Sequence, residues 1–276
     1  AGAAAIKTDG TLWVWGRNSS GDCHGQAGQN NVSVTAYSSP MQVGTNTNWR
    51  NISGMNEGGG WIATKTDGTL WSWGRNDYGA QAQNNSGDTA TSISSPTQIG
   101  TGTDWARSFG GTRNWHAVKT TGTLWACGYN VQGALGDETT TNRSSPVQIG
   151  TETTWSSEIY AGSYTKPAIQ LKTDGTMWTW GDNEAGELGQ DNTSSYSSPK
   201  QVGTLTNWSK VNNGLLSGAA INTDGYLFTW GSGNDGRLGQ GNSTQLNSPK
   251  QLGSTSTWAL FSYCNEAANA VEKLKV

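Results

Sequence analysis

Apolar residues come in short runs of four or five, set between clusters of Gly, Thr, Ser and Asn. No segment of ten or more residues carries a 3.6-residue period, so long helices are not expected. A typical run is Leu12-Trp13-Val14-Trp15. Large residues on both parities predict a strand covered on both faces. Lys7-Thr8-Asp9-Gly10-Thr11 precedes it. Asp-Gly between two β-prone runs predicts a hairpin with a type I′ turn, which needs positive φ at both central residues. A third signal is Ser-Pro, at Pro40, Pro96, Pro146, Pro199 and Pro249, each followed by Gln, an aliphatic residue and Gly. It predicts a short outer strand, where Pro is tolerated. Five residues after each of those glycines stands Trp49, Trp105, Trp155, Trp208 or Trp258, which opens a fourth strand.

These signals recur together. The block from Lys7 to Gly16 returns at 65–74 and at 172–181, where Met177 replaces Leu, with looser copies at 119–128 and 222–231. The turn glycines Gly10, Gly68, Gly122, Gly175 and Gly225 are 58, 54, 53 and 50 residues apart. Four of them follow an acid, Asp9, Asp67, Asp174 or Asp224. Thr121 precedes Gly122, which predicts a different turn there. Four strands in about 50 residues mark a β-propeller blade. The expected fold is all-β, a propeller of four-stranded blades with five full repeats and a partial sixth. The repeats run near 1–48, 49–104, 105–154, 155–207 and 208–257, with a closing strand at 258–263. The tail, 264–276, holds Asn269-Ala270-Val271-Glu272, a second copy of the strand at 3–8. Either one of the two copies is surplus to a closed ring and free to pair elsewhere, or the array is open and further blades come from elsewhere.

The run Gly181-Asp182-Asn183-Glu184-Ala185-Gly186-Glu187-Leu188-Gly189-Gln190, with the Ala-Ile-Lys-Thr-Asp-Gly and Leu-Trp-x-Trp-Gly patterns before it and Ser-Pro after it, resembles the regulator of chromosome condensation repeat. Residues 231–240 match it closely apart from Ser232-Gly233. The resemblance implies a propeller, usually of seven blades, in a family of nucleotide-exchange factors, protein inhibitors and interaction platforms. Similar repeats occur in bacterial surface and phage structural proteins. Blades of that family often carry a His three residues before the Ala of Ala-Ile-Lys. Here Gly2, Gly60, Asn114, Pro167 and Ser217 hold those places, so no exchange-factor surface is carried over.

Composition narrows the classes further. Of 276 residues 13% are charged, against about 25% in typical soluble proteins, and the net charge is -3. There are 39 Gly and 15 Trp but only 3 Phe. This is not the charge-rich, aromatic-poor make-up of a disordered chain, and no stretch approaches the 18 or so apolar residues of a membrane helix. A pI near 5.4 without a Lys/Arg run disfavours nucleic acid as a partner. Cys23, Cys127 and Cys264 are too few and too far apart for a disulfide framework or a paired-cysteine metal site. The N-terminus shows no basic segment followed by an apolar one.

Candidate chemistry is sparse. The repeated acids read as turn residues, because each precedes Gly in a hairpin loop. Cys23-His24 lacks a second ligand pair for zinc. His116 with Cys127 evokes a nucleophile pair, yet Cys127 stands where Trp73 stands in the second repeat, which reads as core replacement. Asp182-Asn183-Glu184 and Gly233-Asn234-Asp235 resemble fragments of calcium loops without the distal Glu. No phosphate-binding glycine motif occurs. No catalytic residue, metal or cofactor is therefore expected. The five strand-leading tryptophans read as packing. Trp61 and Trp115 differ, replacing the small Ala3, Ala168 and Gly218 of the other repeats. The loops just before them vary sharply and contain Glu57, Arg113 and Tyr164. A repeat array diversifies where it binds, so Trp61, Trp115, Glu57, Arg113 and Tyr164 form the candidate binding set, with gap-filling as the alternative for the two tryptophans. The segment from Trp-Gly to Ser-Pro also varies, and is longest in the first two repeats.

The expectation is a non-enzymatic propeller of a virion or cell surface that binds protein or glycan. Its partners are other proteins, copies of itself in a larger assembly, or surface glycans, with neither nucleic acid nor membrane insertion. Its place is extracellular or on a virion. The alternative is a soluble protein-binding regulator, either an inhibitor or an exchange factor.

Overall fold

The computed structural model describes residues 2–18, 25–56, 60–85, 92–161, 167–214 and 216–259, with side chains omitted at 158–161. The candidate residues Glu57 and Tyr164, the Cys23-His24 pair, Cys264 and the tail lie outside the described residues, as does the closing strand beyond Ala259.

Nineteen strands and three single-turn 3-10 segments make up the described structure. β1 (Gly2–Ile6), β2 (Leu12–Arg17) and β3 (Ala36–Gln42) form a three-stranded sheet in that order. Four sheets of four strands follow. The second holds β4 (Trp49–Met55), β5 (Gly60–Lys65), β6 (Leu70–Gly74) and β7 (Ile93–Gln98). The third holds β8 (Trp105–Gly110), β9 (Asn114–Lys119), β10 (Leu124–Gly128) and β11 (Arg143–Gln148). β12 (Trp155–Ala161), β13 (Ala168–Lys172), β14 (Met177–Gly181) and β15 (Tyr196–Gln201) make the fourth. β16 (Trp208–Asn213), β17 (Ser217–Asn222), β18 (Leu227–Gly231) and β19 (Leu246–Gln251) make the fifth. Every pairing within a sheet is antiparallel. The chain divides into two compact units, Ala1–Asn130 with Thr141–Thr153, and Val131–Thr140 with Thr154–Val276.

Each repeated residue has a visible task. Leu12, Leu70, Leu124, Met177 and Leu227 open the third strand of the pattern and are fully buried. The aliphatic residue after Ser-Pro-x-Gln is buried as Val43, Ile99, Ile149 and Val202. The prolines sit on edge strands at a shift of register, as where Ser72 pairs with Thr97 but Gly74 pairs with Ile93, so that Pro96 falls in the bulge and removes no ladder bond. Asn76 and Asn183 are buried and tie the loop after Trp-Gly, accepting from the Gln81 and Leu188 amides at 2.9 Å each.

The hairpin turns differ from the type I′ expectation. Gly10 has φ 79°, but Asp9 is not left-handed. The Gly10 amide donates to the Lys7 carbonyl at 2.9 Å and the Lys7 amide to the Thr11 carbonyl at 2.9 Å. This is a three-residue loop closed by a left-handed glycine. Asp9 instead uses its side chain, accepting from the Thr11 amide and hydroxyl at 2.9 and 2.6 Å. Since only the glycine is left-handed, Thr121 fits equally well: the Gly122 amide reaches the Lys119 carbonyl at 2.9 Å in the same loop. The glycine is needed twice over, because a Cβ on Gly10 would lie 1.9 Å from the Thr47 carbonyl oxygen. That approach seats the next sheet, whose Trp49 amide donates to the Gly10 carbonyl at 3.1 Å.

The strand-leading tryptophans form aromatic knots. Trp49 meets Trp71 and Trp73 with ring centres 6.0 Å away in each case. Trp155 meets Trp178 and Trp180 at 6.1 and 6.0 Å. A buried lysine caps several knots, with Lys65 Nζ 3.7 Å from the Trp71 ring centre and Lys172 Nζ 3.5 Å from that of Trp178. Burial holds the Lys65 pKa below its ordinary value. Trp258 is only half-buried, beside Ala219, Ile221 and Leu227.

Candidate functional site

Cross-strand register explains the two unusual tryptophans. Ala3 faces Trp15, Ala168 faces Trp180 and Gly218 faces Trp230. A small residue on one strand makes room for the indole on the next, and a Cβ on Gly218 would lie 2.3 Å from the Trp230 ring. In the third sheet the order is reversed, with Trp115 facing Cys127. The indole N–H groups follow the same logic. Trp180 donates to the Ala134 carbonyl at 3.2 Å and Trp230 to the Glu187 carbonyl at 2.8 Å, while in the third sheet Trp115 donates to the Ala80 carbonyl at 2.9 Å. Trp115 thus fills from β9 the place that a β10 tryptophan would fill. It is 0% exposed and offers no surface to a partner. In the second sheet Trp61 faces Trp73, and both donate to the Gln26 carbonyl, at 2.9 and 3.1 Å. Trp61 is half-buried with its N–H already engaged.

The His116 and Cys127 side chains do not form a dyad. Cys127 pairs with Trp115 and His116 with Ala126, so the two side chains leave opposite faces of the sheet. Cys127 is fully buried, its Sγ donates to the Arg143 carbonyl at 3.0 Å, and burial pushes its thiol pKa up. Both features oppose thiolate chemistry. Among the described residues no three His, Cys, Asp or Glu side chains gather as a metal site needs. The repeated carboxyls are engaged in their turns. Hydrogen bonds from the side chains of Thr11, Thr69 and Thr176 hold Asp9, Asp67 and Asp174 below the usual carboxylate range.

Arg113 leads to a different cluster. The innermost strands of the second and third sheets run side by side, with Asn51 Oδ1 accepting from the Ser108 amide at 3.2 Å and Ser53 Oγ from the Gly110 amide at 3.0 Å. A parallel bridge between Asn56 and Thr112 continues this contact. The chain then turns sharply through Arg113, whose φ is 54°. The Tyr129 amide donates to the Arg113 carbonyl at 2.9 Å and fixes the turn. The guanidinium lies 5.5 Å from the Tyr78 ring centre, and its Nη1 donates to Tyr78 Oη at 3.4 Å. Tyr78 meets Tyr129 at 4.7 Å between ring centres. Arg75 and Asp77 form an ion pair beside them. All five side chains are half-buried and lie at the end of the sheets opposite the Asp-Gly turns. A left-handed arginine costs roughly 1–2 kcal/mol relative to ordinary backbone. Such strain clusters where a side chain must be presented.

Tyr78, Tyr129 and Arg75 were not among the sequence candidates. The signal is the loop after Trp-Gly or Cys-Gly, where Arg75 and Tyr129 hold the place of Asp182 and Ser232 in later repeats, and Tyr78 holds that of Ala185 and Asp235. In that loop the acids of the later repeats and the length of the earlier ones carry the sequence reading, not the aromatic and basic residues of the second and third repeats.

The regulator of chromosome condensation (RCC1) repeat family matches residues 174–214 and 224–260. No curated protein sequence matches the chain. Human WBSCR16 is similar at 20% identity and a TM-score of 0.74, covering 92% of this chain and 65% of that one. Prp20p from Saccharomyces cerevisiae, described with its binding properties to Gsp1p and histones, is similar at 16% identity and a TM-score of 0.74, covering 93% and 62%. Yeast RCC1 (Prp20) in its complex with Kap60 gives 15% identity, a TM-score of 0.75, and coverage of 93% and 60%. The chain spans roughly three-fifths to two-thirds of the length of these structures. Residues 174–214 and 224–260 therefore match RCC1-type repeats, and the chain has the β-propeller fold of these structures.

Proposed function

We propose that the chain is a non-enzymatic protein-binding module whose contact face is the Arg113–Tyr78–Tyr129 cluster. One observation carries this reading: an arginine held in a left-handed turn lies over a half-buried tyrosine that packs on a second one. Arg and Tyr anchors dominate binding energy in protein interfaces, because they combine apolar area with directional donors. Arg113 abuts β9 and Tyr129 abuts β10, and side chains already held in place lose little entropy on binding. Structures of this fold are described with protein partners: Gsp1p and histones for Prp20p, Kap60 for yeast RCC1. That likeness favours a protein-binding regulator over the virion or cell-surface role suggested by composition.

Affinity capture with the wild-type chain and with a Tyr78→Ser/Arg113→Ala double variant tests the reading. A protein retained by the wild type and by an Asp235→Ser control, but lost by the double variant at equal thermal stability, supports it. Equal retention by all three contradicts it.

A further inference from the structure

Within each unit the sheets are joined by a contact that recurs. The loop before the outermost strand of one sheet lies on the outermost strand of the next. A left-handed glycine sits directly on the first residue of its Ser-Pro segment. A Cβ on Gly25 would lie 2.6 Å from Ser94 Cα, one on Gly79 2.5 Å from Ser144 Cα, and one on Gly133 2.3 Å from Ser197 Cα. Five positions on, a second left-handed residue donates its amide to the carbonyl of that same serine. Asn30 reaches Ser94 at 2.8 Å, Asn84 reaches Ser144 at 2.9 Å and Glu138 reaches Ser197 at 2.7 Å. Gly186 and Asp191 repeat the pair on Asn247.

Two halves of this contact are unmated among the described residues. Loop 234–241 of the fifth sheet carries the left-handed Gly236 and Gly241, with φ 71° and 75°. A Cβ on either would meet nothing within 4 Å, and the Gly241 amide has no described partner. Leu252 below that loop is half-buried, whereas Val43, Ile99, Ile149 and Val202 are buried. The first sheet has the opposite half. Ser38 in β3 holds the place of Ser94 and Ser144, yet it is exposed where they are half-buried, and no described loop amide reaches its carbonyl. Trp15 beside it is half-buried, whereas Trp73, Trp180 and Trp230 are buried and donate to a carbonyl of the loop laid over them.

We propose that loop 234–241 of one copy of this chain docks on β3 of a second copy, with Gly236 over Ser38 and the Gly241 amide on the Ser38 carbonyl. The contact itself selects the occupant. The loop fits a Ser-Pro edge strand beside a tryptophan with an unused N–H, and a second copy presents both. Such a contact joins unlike surfaces, so each added copy leaves one loop and one seat open and the assembly grows head to tail. It uses neither Arg113, Tyr78 nor Tyr129 and stands independently of that face.

Sedimentation velocity on the full chain tests the proposal. The wild-type mass rises with concentration beyond that of one copy. Gly236→Asn suits a left-handed turn and meets nothing in the single copy. Docked, its Cβ would strike the seat, so association weakens at least about tenfold. Ser38→Trp obstructs the seat itself and has the same effect. An equimolar mixture of the two variants forms a 1:1 complex and nothing larger, because one keeps the seat and the other keeps the loop. Thermal unfolding checks that each variant is folded. If Ser38→Trp does not fold, Trp15→Phe replaces it, removing the indole donor and weakening association severalfold. A wild type with the mass of one copy at every concentration overturns the proposal. So does unchanged association of folded Gly236→Asn, or a mixture of folded variants without the 1:1 complex.

Discussion

Trp115 and Cys127 face each other across β9 and β10, and they invert the arrangement that Ala168 and Trp180 make in the fourth sheet. The indole crosses to the neighbouring strand yet still donates to the loop carbonyl, here that of Ala80. The slot is therefore held by its volume and its acceptor, and the strand that fills it is interchangeable.

The exchange predicts a double-mutant cycle. Trp115→Ala empties a fully buried site and costs about 3–5 kcal/mol. Cys127→Trp alone overfills it and costs about 1–3 kcal/mol. The combination restores the pairing of Ala168 with Trp180 and recovers most of both losses. Urea denaturation of the four proteins measures the coupling; additive losses would contradict a shared slot.

The turn geometry predicts a contrast between two glycines. Gly68→Ala meets both a φ of 78° and the Thr103 carbonyl oxygen 1.9 Å from the new Cβ. Gly100→Ala meets a φ of 60° with nothing within 4 Å. The second costs about 1 kcal/mol, the ordinary cost of a left-handed side chain, and the first costs clearly more because the seat of Trp105 must shift. Equal losses in thermal melts would show that the close approach is not tight.

Thr121 now contacts the Thr123 hydroxyl at 3.1 Å, where the other turns have a carboxylate. Thr121→Asp is expected to stabilise by about 0.5–1 kcal/mol, as one added hydrogen bond does. A lower denaturation midpoint would contradict the turn assignment.

Acid sensitivity follows from the lowered carboxyls. Asp9, Asp67 and Asp174 titrate below the ordinary value in the folded chain. Between the lowered and ordinary values the unfolded chain binds more protons, so stability is fully present above the ordinary carboxylate pKa and falls as pH drops through the lowered one. Asp67→Asn keeps an acceptor but removes the titration. Its stability profile should be flatter than wild type at acid pH, and an unchanged slope would assign the sensitivity elsewhere.

The blades were legible because their signals are local and repeated. Leu70 recurs two places after the turn glycine and Ile99 six places before the strand-leading Trp105, and in the first four repeats each of the three lands in the same buried place. The turn type is not legible because Asp-Gly suits two kinds of hairpin, and only the position of Asp9 against Thr11 separates them. The tryptophan exchange left two traces in one repeat, an extra Trp115 and a missing one at Cys127. Linking them needed the strand register, which a period alone does not fix. The Arg113–Tyr78 contact spans 35 positions and arises where two sheets meet, so no spacing rule reaches it.

The central claim, that this cluster is where a protein partner docks, is tested most directly by site-specific photocrosslinking. A photoreactive phenylalanine analogue is placed at Tyr78, at Tyr129, and at Asp235, which holds the Tyr78 place in the fifth repeat. The account predicts one crosslinked partner protein, other than a second copy of this chain, from positions 78 and 129 and none from 235. Crosslinks of equal yield to such a protein from all three, or from 235 alone, would contradict it.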